Sequence, residues 1–436
     1  MYFPFTLDQV NSMSQKYLYI CIRSLLEELN ARICSDEFAE LARHPDHPQA
    51  FRRNRKLPLP ALIGALLTMR NQSQQLTVDG FFGAIGSSAL PLCGVSDRAF
   101  AKARNHLHLP ALESLNELVV RRADEAGLVE RWHGLRVVAA DASVLMPALR
   151  PCLQSRSAAG PDQRLFVLYL PGAELTLHAS VHSATVGDRR MLMQALDVLG
   201  PDDVLVLDRG YPASWLVALL NARGIRFVMR CDNDGGWGPV KNFVRSGLDQ
   251  AQVDLAAPSS EDAQQWDCGR AKPSVRLVRQ CAPNGQVRVL VTNLDEQTYP
   301  PHLFGELYHQ RWRIEEAFKR IKHRLKLEAV SGLSQQALII DVAAKILADN
   351  LSSLMCAAAS DQANLPQRSR KVNRSYAANY LRNVLPRLIL RVGDICATIA
   401  QAIQMLATNT QRFVENRSRP RPKCHVKPHP HLAYKG

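Results

Sequence analysis

The sequence predicts an α/β protein: a mixed sheet with covering helices, interrupted by a β-rich insertion, preceded by a helical domain and followed by more helices. Three observations carry this expectation. Short apolar runs ending in a charged residue recur from Leu135 onward, as in Leu135–Ala140 before Asp141 and Asp203–Leu207 before Asp208. Helix-period segments closed by glycine alternate with those runs, notably 189–199 before Gly200-Pro201 and 212–222 before Gly224. The first 130 residues, in contrast, show only helical periodicity.

The helical opening is read from Tyr17 to Leu41, from Leu59 to Met69, from Arg98 to Leu107 behind Ser96 and Asp97 as caps, and from Ala111 to Glu125. A basic stretch, 51–56, separates the first two. In the sheet region, 163–170 and 174–181 are expected as strands joined through Pro171-Gly172, a link that favours an antiparallel hairpin. Ile225 to Arg230 supplies another strand. Residues 232–297 are richer in Gly, Pro, Ser, Asp and Gln and hold short strand-like runs, so they are expected as the insertion. A long helix is expected from Phe304 to Leu325 and another over 334–359. The expected organisation is therefore 1–130 helical and DNA-binding, 131–350 catalytic with the insertion, 351–415 helical, and 416–436 a basic flexible tail.

Composition narrows the function classes. The 436 residues carry 54 Lys and Arg against 40 Asp and Glu, a formal charge of +14 that suits a polyanionic partner. No run of about 18 apolar residues appears, so no membrane span is expected, and MYFPFTLDQVNSMSQKY lacks the basic start and apolar core of a secretory signal. Ten scattered cysteines with no CxxC argue for free thiols in a reducing compartment rather than a zinc cluster or disulfide framework.

Candidate chemistry centres on acids. Asp141 and Asp208 each follow an apolar strand, where a side chain leaves the rim of a sheet. Neither placement alone distinguishes catalysis from a turn or cap. In YHQRWRIEEAFKRIKHRLKLE, Tyr308, Arg311, Glu315 and Lys322 are spaced by 3, 4 and 7. On a continuous α-helix they would lie within about 60° of one another, one polar stripe among faces holding Trp312, Ile314, Phe318 and Ile321. Carboxylates are the hard oxygen ligands that Mg²⁺ favours. A guanidinium and an ammonium on the same helix suit a phosphate, the first bidentately and the second as a point charge.

These motifs, in this order, resemble the bacterial insertion-sequence DDE transposases of the YREK-signature group. The signature stands as Tyr308, Arg311, Glu315 and Lys322, the second motif as Asp208-Arg209-Gly210-Tyr211, and the first as Asp141-Ala142-Ser143. Position 142 is Ala where Gly is common in that group. Leu290–Leu294 and the Ser96 to Phe100 stretch extend the likeness over roughly 60–350. The resemblance implies a ribonuclease-H-like core, with Asp141, Asp208 and Glu315 as catalytic residues and ligands of two Mg²⁺ ions, Mn²⁺ being the alternative. It implies that Tyr308, Arg311 and Lys322 bind DNA phosphates, with Ser143, Arg209, Gly210 and Tyr211 supporting the motifs.

It further implies double-stranded DNA with terminal inverted repeats and target DNA as partners, a homodimer in the synaptic complex, and cut-and-paste cleavage and strand transfer in the bacterial cytoplasm at the nucleoid. Some relatives use an insertion tryptophan to hold a flipped base; Trp237 and Trp266 both lie in the insertion, and ordinary packing is the expectation for each. His182 is expected as a structural residue on the sheet surface, and Asp188 as the cap of the following helix. The competing readings are a non-mobile metal-dependent nuclease on the same core and an inactive transposase-derived DNA-binding protein.

Overall fold

The computed structural model describes residues 7–53, 56–68, 73–88, 90–145, 163–233, 237–281, 287–324, 326–327, 332 and 334–413. The 416–436 tail and positions 54–55 of the basic stretch lie outside these residues. Six helices open the chain: α1 Leu7–Ile33, α2 Asp36–Leu41, α3 Leu59–Leu66, α4 Gln74–Ile85, α5 Asp97–Asn105 and α6 Leu109–Glu125. The helix expected over 17–41 is thus two, because Ser35 caps α2 by accepting from the Phe38 N–H. Ser96 caps α5 as its sequence position foretold, accepting from the Ala99 N–H at 3.2 Å.

Then come β1 Arg131–Trp132, β2 Leu135–Leu145, β3 Gln163–Leu170, β4 Leu175–Ser183, α7 Asp188–Ala195, β5 Asp203–Leu207, α8 Ser214–Ala222 and β6 Arg226–Cys231. The 232–297 stretch holds α9 Gly238–Ser246, β7 Gln250–Asp254, α10 Ser260–Trp266, β8 Ser274–Cys281 and β9 Val287–Thr292. It therefore has two helices besides its expected β character. The chain continues with α11 Phe304–Gln310, α12 Trp312–Lys319, α13 Gln335–Gln362, β10 Arg370–Val372, α14 Arg374–Ile389, α15 Ile395–Thr408 and β11 Thr410–Arg412.

The main sheet runs β4-β3-β2-β5-β6-β9-β8-β7, with β1 paired to β2. β2, β5 and β6 are mutually parallel, whereas β9, β8 and β7 add antiparallel strands, so the insertion widens the sheet from one side. A mixed central sheet flanked in sequence by N-terminal and C-terminal helices is the architecture of a ribonuclease-H-like core with helical extensions.

The chain divides into two compact units. The sheet unit takes Val129–Val144 and Arg164–Phe318; the helical unit draws on Met1–Leu128, Leu145–Gln163 and Lys319–Gly436. The helices after 350 thus join the opening helices in one unit, and residue 350 falls inside α13.

Within the sheet unit, Leu135, Val137, Val204, Val206, Val228, Val278 and Leu290 form one apolar face, covered by Tyr299, Phe304, Leu307 and Tyr308. Alternation along a strand puts residues i and i+2 on the same face, so this face continues through Ala139 to Asp141. Its register is held at the far end by Arg136, whose Nε and Nη2 donate to the Asp203 carboxylate at 2.5 and 2.8 Å.

In the helical unit α13 is central and buries an unusual number of polar groups. Arg320 donates to both Asp349 oxygens at 2.9 to 3.0 Å, and Arg104 approaches Asp341 at 3.6 Å. Asn350 donates to Asn116 at 2.7 Å. The Arg320–Asp349 and Asn350–Asn116 pairings satisfy groups that would otherwise be costly to bury. Among the described residues no helix is long and apolar enough to cross a membrane.

Candidate active site

Two expectations about local structure change at the site. β2 does not end at Asp141 but runs on to Leu145, so the acid leaves from within the strand. The helix expected over 304–325 is broken: Arg311 separates α11 from α12, and 320–324 is π-helical. The wider i to i+5 winding removes Lys322 from the 3.6-residue period on which the four-residue stripe depended. Lys322 is half-buried within the helical unit, whereas Tyr308, Arg311 and Glu315 belong to the sheet unit.

Strand register builds the centre of the site. β2 and β5 pair Val137 with Val204 and Ala139 with Val206. Carried two residues further, the same register sets Asp141 opposite Asp208. β5 and β6 pair Val206 with Val228, which by the same step sets Arg230 opposite Asp208. Neighbouring strands lie roughly 4.8 Å apart, so this register, continued, puts Asp141 on β2, Asp208 just past the end of β5 and Arg230 on β6 in one row of charges. The row lies on the face that α11 covers, which brings Tyr308 beside it.

Electrostatics agree with this placement. Burial, reinforced by the charge of Asp208, raises the Asp141 carboxyl to about 6, against the Ala142 N–H donated at 2.8 Å and the charge of Arg311. Asp208 is half-buried and accepts from the Gly210 N–H at 2.8 Å; a Cβ at 210 would stand 3.1 Å from the same oxygen. Tyr211 is fully buried beneath the acids. Its hydroxyl is pushed well up, first by burial and then by Asp141, Asp188 and Asp208, and it has no hydrogen-bond partner among the described residues.

Arg209 points outward and pairs with Asp232 at 3.6 Å, both exposed. Ser143 is half-buried two residues beyond Asp141 on β2.

Arg311 links the acids to the helix. Its side chain is only 8% exposed, and Nη2 lies 3.7 Å from Glu315 Oε1. Its guanidinium carbon stands 5.8 Å from the Tyr308 ring centroid and 5.4 Å from that of Trp312. Its Nε lacks a hydrogen-bond partner among the described residues, as does that of Arg230. Burial raises the Tyr308 hydroxyl, opposed by Arg311 and Arg230. The site thus presents two buried guanidinium N–H donors beside adjacent carboxylates.

Asp188 has a role different from the expected cap. Gly187 caps α7, no side chain completes that cap, and Asp188 instead forms a short ion pair with Arg164. Its carboxyl is raised mainly by burial and further by Asp208, so it is a third acid of this neighbourhood. His182 hydrogen-bonds Ser180 at 2.7 Å. Burial lowers its pKa, as it lowers that of His178 to about 4, leaving both neutral at pH 7.

Trp266 stacks on Trp215 at 4.5 Å between centroids, the packing expected of it, and Trp237 is half-buried at the start of α9. Arg230 went unremarked in the sequence, although Phe227-Val228-Met229-Arg230 repeats the pattern of an apolar strand delivering a charge.

Among the described residues no group of three or more His, Cys, Asp or Glu is placed to hold a metal ion. The charge of Asp208 is felt at the Asp141 carboxyl, and Glu315 lies 3.7 Å from Arg311.

Residues 150–351 match the family model described as "Transposase DDE domain". The matched stretch is similar to that family over less than half of the chain; it includes Asp208 and the Tyr308 to Lys322 signature and begins after Asp141. Among solved structures, one described as "Cryo-EM structure of piggyBac transposase synaptic complex with hairpin DNA" is similar at 10% identity and a TM-score of 0.40, over 90% of this chain and 85% of that one. No curated protein matches the chain.

Proposed function

We propose that this protein is a DNA transposase of the YREK-signature insertion-sequence group, which binds terminal inverted repeats and carries out cut-and-paste cleavage and strand transfer with Asp141, Asp208 and Glu315. The observation that supports the reading is the β2–β5 register, which carried two residues on sets Asp141 opposite Asp208, beside α11 with Tyr308 and the Arg311 break that leads into α12 with Glu315.

In this reading the phosphodiester enters against the N–H donors of Arg311 and Arg230, whose unpartnered Nε groups need an acceptor. The Tyr308 hydroxyl, kept protonated by burial, donates to the same phosphate. Ionisation of Asp141 near pH 6 gates the reaction, because a protonated carboxyl cannot balance positive charge at the cut. Lys322 holds a flanking phosphate.

Two Mg²⁺ ions, with Mn²⁺ as substitute, are the proposed cofactor; bound there, they would activate the attacking oxygen and stabilise the leaving one. The described residues do not gather the three carboxylates of Asp141, Asp208 and Glu315 into one ligand group. The helical unit is proposed as the end-binding part, and a homodimer as the form that pairs two ends in a bacterial cell.

Incubating the protein with labelled terminal-repeat duplex, target plasmid and Mg²⁺ tests the proposal. Joined molecules are expected; cut or nicked DNA without joining would identify a non-mobile nuclease, and binding without cleavage an inactive descendant. The E315A protein is expected to bind ends and not to cleave them.

A further inference from the structure

The helical unit contains an antiparallel ribbon of three residues per strand, β10 with β11, in which Arg370 lies directly opposite Arg412. Like charges in direct cross-strand register destabilise a sheet, and a two-stranded ribbon has little stability to spare. Here the ribbon is nevertheless well fixed. Val372 is buried, the Asn373 N–H donates to the Asn409 carbonyl at 3.0 Å, and the Phe413 N–H donates to the Ser369 carbonyl at 2.8 Å. Arg370 is oriented by Thr410, whose Oγ1 accepts from Nε at 2.6 Å.

On the other face Lys371 Nζ lies 5.3 Å from the ring centroid of Phe413, which is 44% exposed. Arg368, Arg370, Lys371 and Arg412 are all exposed. None forms an ion pair among the described residues, and neither 364–375 nor 409–413 contains an acid. Protection of a strand edge accounts for a lysine. It does not account for two arginines in direct cross-strand register.

We propose that this ribbon is a backbone-binding element for duplex DNA, in which Arg370 and Arg412 share a phosphate and Arg368 and Lys371 take neighbouring ones. The inference rests on the reading of the protein as a DNA transposase. A bound phosphate reverses the local electrostatics, since two guanidiniums that repel each other both donate to one anion. The ribbon's width also suits the duplex, whose major groove admits two strands. Phosphate contacts position a protein without reading sequence, so the element adds affinity to any duplex.

The test uses the full chain, a terminal-repeat duplex and a shuffled duplex of equal length, with binding followed by fluorescence anisotropy across a salt series. The Arg370→Gln/Arg412→Gln protein is expected to lose affinity for both duplexes alike. Its plot of log K against log salt should be shallower by roughly 0.9 for each phosphate that is no longer neutralised. Its DNA-free Tm should equal or exceed that of the parent, because the opposed charges are gone.

Arg23→Gln, an exposed arginine paired with Glu27, should change neither affinity nor slope. Should the double variant fail to fold, Lys371→Gln on the opposite face is expected to give a smaller loss of the same kind. Unchanged affinity and slope in the ribbon variants, or weakening confined to the terminal repeat, would overturn the proposal. If the parent protein binds neither duplex, the transposase reading itself falls.

Discussion

At the residue scale the site is a compromise between burial and charge. Asp141 is held where its carboxyl titrates near 6, about two units above its value in an unfolded chain. The folded protein therefore binds that proton more tightly than the unfolded chain between about pH 4 and 6. Stability falls as pH rises through this window, and the loss is complete above it, on the order of 3 kcal/mol at pH 8. Asp141→Asn should abolish cleavage while making the protein more stable than the parent at pH 8, with the difference fading by pH 4; thermal melts across pH measure it, and equal melts at all pH values would refute the burial argument. Arg311→Ala is expected to remove the guanidinium beside Glu315 and Asp141 and to lower cleavage more than end binding, read from single-turnover rates beside anisotropy. Asp141 and Asp208 were visible in the sequence because apolar strands deliver them. The contribution of Asp188 was not, since its pairing with Arg164 spans two elements that sequence order does not place together.

At the element scale the parallel β2–β5 pair determines whether the acids meet. The buried Arg136–Asp203 ion pair sits at the start of both strands, and a slip of one residue would turn Asp141 and Asp208 to opposite faces. Arg136→Ala would leave the buried Asp203 carboxylate with the Gly200 N–H but without its charge partner, and is expected to cost about 3 kcal/mol in urea denaturation. A loss below about 1 kcal/mol would show that the apolar face alone fixes the register. The four-residue signature illustrates where periodicity stops being informative. It assumed one uninterrupted helix, but the chain breaks at Arg311 and winds more widely from Arg320, whose side chain makes a buried bond to Asp349. Arg320, where the wider winding starts, bonds a partner 29 positions away, a pairing that no local pattern reveals. The α5 cap lies at the other extreme: Ser96→Ala should cost about 1 kcal/mol, because a cap is a local hydrogen bond.

At the scale of the whole molecule, the formal charge of +14 predicts association with duplex DNA that weakens steeply with salt. A binding constant that does not respond between 50 and 200 mM salt, on the order of the usual range, would argue against a phosphate-dominated interface. The two units also differ in how they use the chain. The sheet unit is nearly continuous, whereas the helical unit collects segments from both sides of it. A fragment ending at residue 350 would cut α13 midway and discard Leu351, Leu354 and Met355, all buried. It is expected to be insoluble or molten, as judged by near-ultraviolet circular dichroism.

The sequence by itself determined the α/β class, the strands and helices from Leu135 to Arg230, and the two acids that follow apolar runs, because these follow from short-range apolar periodicity and turn chemistry. Only the tertiary structure decided that Asp141 and Asp208 face each other, that Arg230 and Asp188 join them, and that the closing helices fold with the opening ones. Those outcomes depend on strand register and on buried pairs between distant residues. Their energies depend on which groups are brought out of water together, and a linear pattern does not contain that information.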